Sequence, residues 1–261
     1  MSIRKKISCG SKMHFKYIPQ WIGYSLILTL VTGINHAYGE NASNPLAVVN
    51  NTDVRLQYFD LGRSDRWDFF VADGAYMLTP NLKFKYELHY WETNVTGSSE
   101  SELESLHLKP IYFPEKMIGK IGEWKYKVAI GAELIMDFGH EDKGIGSGSD
   151  QFAPLVGVAM VRGNTVLVPL VQHFIELDGP DVNTTAFRMI AIQSFQNNIW
   201  GKIDAKLPVD WEHDNDIPAT LEVQLGKMFT PSFGTYVDGL FGVGGDKPYD
   251  WGVGVGVRFN Y

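Results

Sequence analysis

Residues 251–261 read WGVGVGVRFNY. In an extended chain successive side chains point to opposite sides, so this stretch separates into two rows. Trp251, Val253, Val255, Val257, Phe259 and Tyr261 share one face, and Gly252, Gly254, Gly256, Arg258 and Asn260 share the other. A strand of a soluble sandwich also alternates, but its apolar row seldom runs unbroken to a terminal aromatic residue. The lipid-facing closing strand of a transmembrane β-barrel needs an apolar outer row about ten residues long, a small or polar inner row, and an aromatic ring at the membrane boundary.

The other end of the chain points the same way. Residues 1–20 carry Arg4, Lys5, Lys6, Lys12 and Lys16 with no acidic residue, and the apolar run 21–34 follows. Ala37-Tyr38-Gly39 then places small residues at the two positions a signal peptidase accepts, so 1–39 is expected to be a cleavable leader. The run is shorter than the roughly 20 residues that span a bilayer, which disfavours a retained anchor. Cys9, the only cysteine, lies ahead of the run, so the exported part is expected to have no disulfide or thiol chemistry.

The whole chain has 23 basic and 30 acidic residues. Without the five basic residues of the leader the balance is 18 against 30, a net charge of −12, which argues against nucleic acid as a partner. Although 44% of residues are hydrophobic, no apolar run after the leader is long enough for a membrane helix. A chain that enters lipid without helices must close its sheet, because only then is every backbone N–H and C=O paired.

Turn chemistry divides the remainder into twelve candidate strands, 53–60, 66–78, 81–93, 103–113, 122–138, 151–162, 164–178, 183–196, 198–212, 218–229, 233–244 and 250–261. The expected fold is all-β, a transmembrane antiparallel up-and-down β-barrel of about 12 strands, over 53–261, with residues 40–52 as an N-terminal arm inside or below it. Ten strands is the alternative, if 53–60 lies outside the wall and another pair is misread. The connections support a barrel: 61–65, 94–102, 139–150, 179–182, 213–217 and 245–249 are the longer ones. They alternate with the short 79–80, 163, 197 and 230–232, and only 114–121 breaks the rule. The Gly/Ser tract 144–149 reads as a flexible loop tip.

Period-two reading assigns the inner rows. Lys83, Lys85, Glu87 and His89 face inward on one strand; Lys125, Lys127, Glu133 and Asp137 on a second; Lys202, Asp204 and Lys206 on a third; then Glu222, Gln224 and Arg258. Strands 151–162, 164–178 and 183–196 are apolar on both faces, and no inner row can be read from them. Buried charges persist only when paired or wet, so these groups either close a filled lumen or line a water path whose selectivity they set. The glycines of the closing strand suit a crowded inner wall that leaves room for a plug, a larger facing side chain or a solute.

No catalytic constellation emerges. His173 and Glu176, three apart, fall on opposite faces of a strand. Gly146-Ser147-Gly148-Ser149 lacks the strand-to-helix setting of a hydrolase elbow. The G-x-G patterns near the C-terminus have no following helix to make a dinucleotide site. Asp210, Glu212, Asp214 and Asp216, with His213, form a weak candidate for loose divalent-cation binding in an outer loop. No cofactor is expected.

Asn44-Pro45-Leu46-Ala47, Trp211-Glu212, Leu225-Gly226-Lys227, and Asp250-Trp251 leading into Arg258-Phe259 resemble bacterial outer-membrane barrels grouped with the phenol-degradation MetA pathway. The terminal aromatic likewise resembles the signal by which outer-membrane barrels are assembled. The resemblance implies a barrel in the bacterial outer membrane, bounded by lipid and lipopolysaccharide and inserted by the barrel assembly machinery through its C-terminal strand. It also implies transport of small, often hydrophobic or aromatic solutes, and it maps no binding residue. The expected role is a passive channel or uptake protein, not an enzyme. The alternatives are a barrel enzyme acting on envelope lipids and a structural or adhesion barrel with a sealed lumen.

Overall fold

The computed structural model describes residues 42–261, so the leader lies outside the described residues. The strands are β1 (Asn51–Asp60), β2 (Asp65–Thr79), β3 (Leu82–Thr93), β4 (Glu100–Tyr112), β5 (Ile118–Ile121), β6 (Trp124–Asp137), β7 (Asp150–Arg162), β8 (Thr165–Asp178), β9 (Asn183–Ser194), β10 (Ile199–Asp210), β11 (Ala219–Thr230), β12 (Phe233–Val243) and β13 (Trp251–Asn260). Each pairs antiparallel with its chain neighbour, apart from the β4–β5 step. The seam closes where β13 meets β1, in register from Asn51↔Asn260 to Asp60↔Trp251.

β4 leaves β6 after Tyr112↔Ile130, and β5 takes over the same edge from Ile118↔Lys127 to Ile121↔Trp124. The two share one stave, so the wall has twelve and the ten-strand alternative falls. Residues 114–121, which broke the alternation of connections, hold a 3-10 turn at Glu115–Met117 and this short strand. Elsewhere, tight turns at the end bearing Asn51 and Asn260, the terminal end, use residues that tolerate the left-handed region. Gly163 has φ 56°, and Asn197 and Asn198 have φ 60° and 59°.

The wall is apolar outside. Val253, Val255, Val237, Ile203 and Leu225 are each more than half exposed, with values of 51–56%. A belt of such residues far exceeds the apolar patch a water-soluble protein tolerates, so its solvent is lipid. Aromatic rings mark both edges: Tyr58 packs on Trp67 at 5.0 Å and on Trp251 at 5.7 Å at the loop end. Phe233 packs on Phe229 at 6.0 Å and on Phe259 at 5.5 Å at the terminal end. Eight residue steps from Trp251 to Phe259 rise about 26 Å along the strand. At a tilt near 40° that is about 20 Å along the barrel axis, close to the band an outer-membrane barrel presents.

Inside, the terminal end is filled by an apolar cluster. Leu46, from the segment before β1, packs with Ile111, Phe113, Ala129, Ala159, Val168, Ile190 and Ile192, all at most 4% exposed. The arm at 42–50 therefore lies within the barrel, as Leu46 and Ala47 are essentially without exposed surface.

Candidate functional site

The arm is held by cations of the wall. Lys83, 1% exposed, donates from Nζ to the carbonyls of Ala47 at 2.8 Å and Pro45 at 3.1 Å. An ammonium buried this deeply survives because two backbone oxygens replace its water. Arg258 donates from Nη1 to Ser43 Oγ at 2.8 Å, and Ser43 Oγ donates to Gln224 Oε1 at 2.7 Å. The Arg258 Nη2 also reaches Asp53 Oδ2 at 2.6 Å while its Nε lies 3.0 and 3.1 Å from both Asp53 oxygens. Asp53 and Arg258 are Cα partners across the seam, so one buried ion pair fastens both barrel closure and arm.

Beyond the arm, a belt of paired charges runs round the lumen. Arg55 pairs with Asp73 at 3.4 Å, Lys85 with Glu87 at 3.4 Å, and His89 sits between Asp68 at 3.3 Å and Glu87 at 3.6 Å. Glu133 accepts from His107 at 2.8 Å, Lys109 at 2.9 Å and Gln172 at 2.5 Å. Arg188 grips Asp204 in a two-bond fork at 2.8 and 2.6 Å, and Lys202 bridges to Glu222 at 2.7 Å. Within this belt lies a cavity of about 250 Å³. Its lining includes eight Lys or Arg and six Asp or Glu side chains, a formal net of +2. Strands β6 to β8 add apolar surface, Ile135, Leu155, Leu170 and Phe174, on either side of the hydrogen-bonded pair Glu133 and Gln172.

The residues read as inward-facing fall into three groups. Lys83, Lys85, Glu87, Glu133, Lys202, Asp204, Lys206, Glu222 and Arg258 line the cavity. His89 faces inward but is packed against Phe70 at 4.1 Å and His107 at 4.9 Å, and Lys127 lies in the apolar layer with its ammonium 4.3 Å from the Phe113 ring centre. Two lie elsewhere. Lys125 is exposed on the β5–β6 hairpin, past the point where β4 leaves the wall. Asp137, at the loop end of β6, turns its carboxylate to the following loop, accepting from Gly139 N at 2.8 Å, Ser147 N at 2.5 Å and Gly148 N at 3.0 Å.

That capture corrects the reading of 144–149 as a flexible tip. Ile145 and Ser149 have no exposed surface, and the loop is fastened again where Glu102 meets His140 at 2.8 Å and Lys143 at 2.5 Å. The hydrogen bond to Glu102 holds the Lys143 ammonium above its ordinary range. The acidic turn is also corrected. Among the described residues no three His, Cys, Asp or Glu side chains gather as metal ligands. Asp210 spends its oxygens on Glu212 N at 3.0 Å and His213 Nδ1 at 3.0 Å, so Glu212, Asp214 and Asp216 do not join it in a cation site.

Period-two reading missed Arg55, Asp73, His107, Lys109 and Arg188. Asp73 follows a bulge between Phe70 and Ala72, and His107 and Lys109 follow another near Tyr90 on the β3–β4 ladder, so parity counted from the strand start inverts. One signal was available for Lys109: the alternation of His107 and Lys109 with Leu108 and Pro110.

His107 also touches Ser105, with Nε2 2.9 Å from Oγ, giving a serine–histidine–carboxylate chain with Glu133. The setting differs from that of a nucleophilic triad. Ser105 donates its hydroxyl hydrogen to the neighbouring Glu104, and at 1% exposure it is closed to a substrate. His173, on the other face of its strand, bonds Thr185 Oγ1 at 3.0 Å.

No family model matches the sequence, and no curated protein matches it. Solved structures do share the fold. An outer-membrane channel from Pseudomonas putida F1 aligns with a TM-score of 0.59 at 9% identity, covering 88% of this chain and 100% of that one. The NanC porin aligns at 0.56 and 10% identity, covering 80% and 98%. Outer membrane phospholipase A from Escherichia coli aligns at 0.50 and 14% identity, covering 81% and 92%. This chain therefore has the closed barrel fold of outer-membrane channels and porins, a fold that the phospholipase shares.

Proposed function

We propose that this chain is a bacterial outer-membrane channel for small solutes, with residues 42–50 as a closure at its terminal end. The observation that carries the reading is the charged cavity inside the lipid-facing wall. Its lining brings eight cationic and six anionic side chains round one space, with Asp68, Glu104 and Asp238 buried behind it. Charge at this density in a barrel interior is kept by pairing and by water, and water in a lumen is the beginning of a path. The N-terminal leader, export and assembly through the C-terminal strand belong to the same reading. So does the grouping with the MetA-pathway barrels, whose hydrophobic or aromatic solutes would find Phe174 and the Leu155–Leu170 wall inside the cavity.

Single-channel recording in planar bilayers tests the proposal. Folded protein is expected to conduct in small steps, and a variant lacking residues 42–50 is expected to conduct in larger ones. Absence of current from both forms would overturn it.

A further inference from the structure

Apolar and cationic side chains of the cavity lining meet at one place. Lys206 of β10 and Arg188 of β9 are Cα partners, and Arg188 is in turn the Cα partner of Leu170 on β8. All three side chains line the cavity, together with Lys109, Leu155 and Phe174. The carboxylates nearby are committed. Glu133 takes hydrogen bonds from His107, Lys109 and Gln172, and Asp204 takes both prongs of Arg188. Among the described residues Lys206 has no carboxylate within ion-pair distance. Its ammonium stands 5.4 Å from the centre of the Phe174 ring. Lys206 lies in the field of the like charges on Arg188 and Lys109 and of the carboxylates of Glu133 and Asp204, which those two cations hold.

Three cations against two carboxylates, which Lys109 and Arg188 already hold, leave one positive charge in excess at Lys206 to attract an anion, while Leu155, Leu170 and Phe174 offer an apolar surface beside it. Resting on the channel reading above, we infer that the lumen selects small organic anions that carry an apolar body, the anionic head at Lys206, Arg188 and Lys109 and the body against Leu155, Leu170 and Phe174. A mineral anion would use only the first half of this site. A neutral hydrophobic solute would leave the cations unanswered and desolvate them at a cost. A wet lumen keeps the attraction moderate, as a passing solute requires: strong enough to recruit, weak enough to release.

Permanently charged probes test this without leakage through lipid: benzenesulfonate, methanesulfonate and benzyltrimethylammonium. Reversal potentials across a bilayer holding the folded protein should show anions preferred over cations. Benzenesulfonate should bind the folded protein in calorimetry more tightly than methanesulfonate. Lys206→Glu replaces an attracting charge by a repelling one and is expected to lower the anion-to-cation permeability ratio about a hundredfold, because the Coulomb term at about 6 Å in water changes by two charges, about tenfold against the anion and about tenfold in favour of the cation. Lys206→Gln should fall between. Leu170→Gln should remove the preference for benzenesulfonate over methanesulfonate and leave the preference for anions. Heat-dependent gel mobility identifies the variants that have folded. Cation preference, or a permeability ratio unmoved in both folded Lys206 variants, would overturn the inference while leaving a channel. Tight benzenesulfonate binding with no current in any salt would keep the site and remove the channel.

Discussion

The seam between β1 and β13 can be weighed through Arg258→Leu. The guanidinium makes a fork to Asp53, whose carboxylate is 2% exposed, and its own residue is 5% exposed. Removing the cation leaves Asp53 buried with only Tyr236 Oη at 3.1 Å and Asn51 Nδ2 at 3.0 Å as donors. An uncompensated buried charge costs about 3–5 kcal/mol. The two surviving hydrogen bonds place this one near the lower end, about 3 kcal/mol, to which the lost faces of Trp200 and Tyr236 against the guanidinium add about 0.5 kcal/mol. Adding Asp53→Asn removes the orphaned charge, so the double variant should recover about 2 kcal/mol of the loss. Urea unfolding in lipid vesicles, followed by tryptophan fluorescence, reads these differences from the midpoint when the slope is unchanged. A loss below about 1 kcal/mol in Arg258→Leu, the range of a solvated surface pair, would refute the buried-pair reasoning. So would a double variant no more stable than the single one.

Lys83→Met removes two charge-assisted bonds to the arm, about 3 kcal/mol together, and should shift the docked-to-undocked ratio by about a hundredfold; open probability in bilayer recordings measures it. Gly256→Ala would place a Cβ 2.1 Å from Tyr236 Cζ and is expected to cost about 1–3 kcal/mol in urea unfolding, a cost that Tyr236→Ala should suppress. Val255→Lys, midway along the lipid face of β13, should destabilise by about 2–4 kcal/mol in vesicles, whereas the same change at the exposed loop residue Gly245 should cost far less. A fluorophosphonate probe should leave Ser105 unlabelled in the folded protein, because its hydroxyl is buried and gives its proton to Glu104; labelling abolished by His107→Ala would establish an enzyme.

Much of the wall was legible because lipid outside and charge inside impose a strict period of two, as in Leu82–Thr93 and Ile199–Asp210. The legible part ended where the interior ceased to be polar. β7 to β9 carry Ala153, Leu155, Gly157, Ala159, Val168, Leu170, Ile190 and Ile192 inward, so both faces are apolar and no parity can be assigned. The reason is the arm: Leu46 needs an apolar bed, and those strands supply it. Arg188 was hidden in the same stretch. The tight packing of Tyr236 into the gap over Gly256, and of Trp200 over Gly226, answers the glycine rows of the last strands with large facing side chains. Asp137 and Lys125 were misplaced for a different reason, since parity says which side of a strand a residue is on but not whether the lumen still exists at that height.

The sign of the lumen is not inherited from the chain. Residues 42–261 hold 18 basic and 29 acidic side chains, a net of −11, yet the cavity lining is +2. A lining drawn at random from this composition would be negative, so the surface that faces the cavity is enriched in cations, with the carboxylates of Asp68, Glu104 and Asp238 buried behind it. Two of the eight lining cations, Lys83 and Arg258, are taken by the arm, and Arg55 and Lys85 each face a carboxylate at 3.4 Å. What remains unspent sits at Lys206 beside Arg188, next to Leu170 and Phe174. The arm and a solute therefore call on different cations, so displacing one does not require competing for the charges that recruit the other.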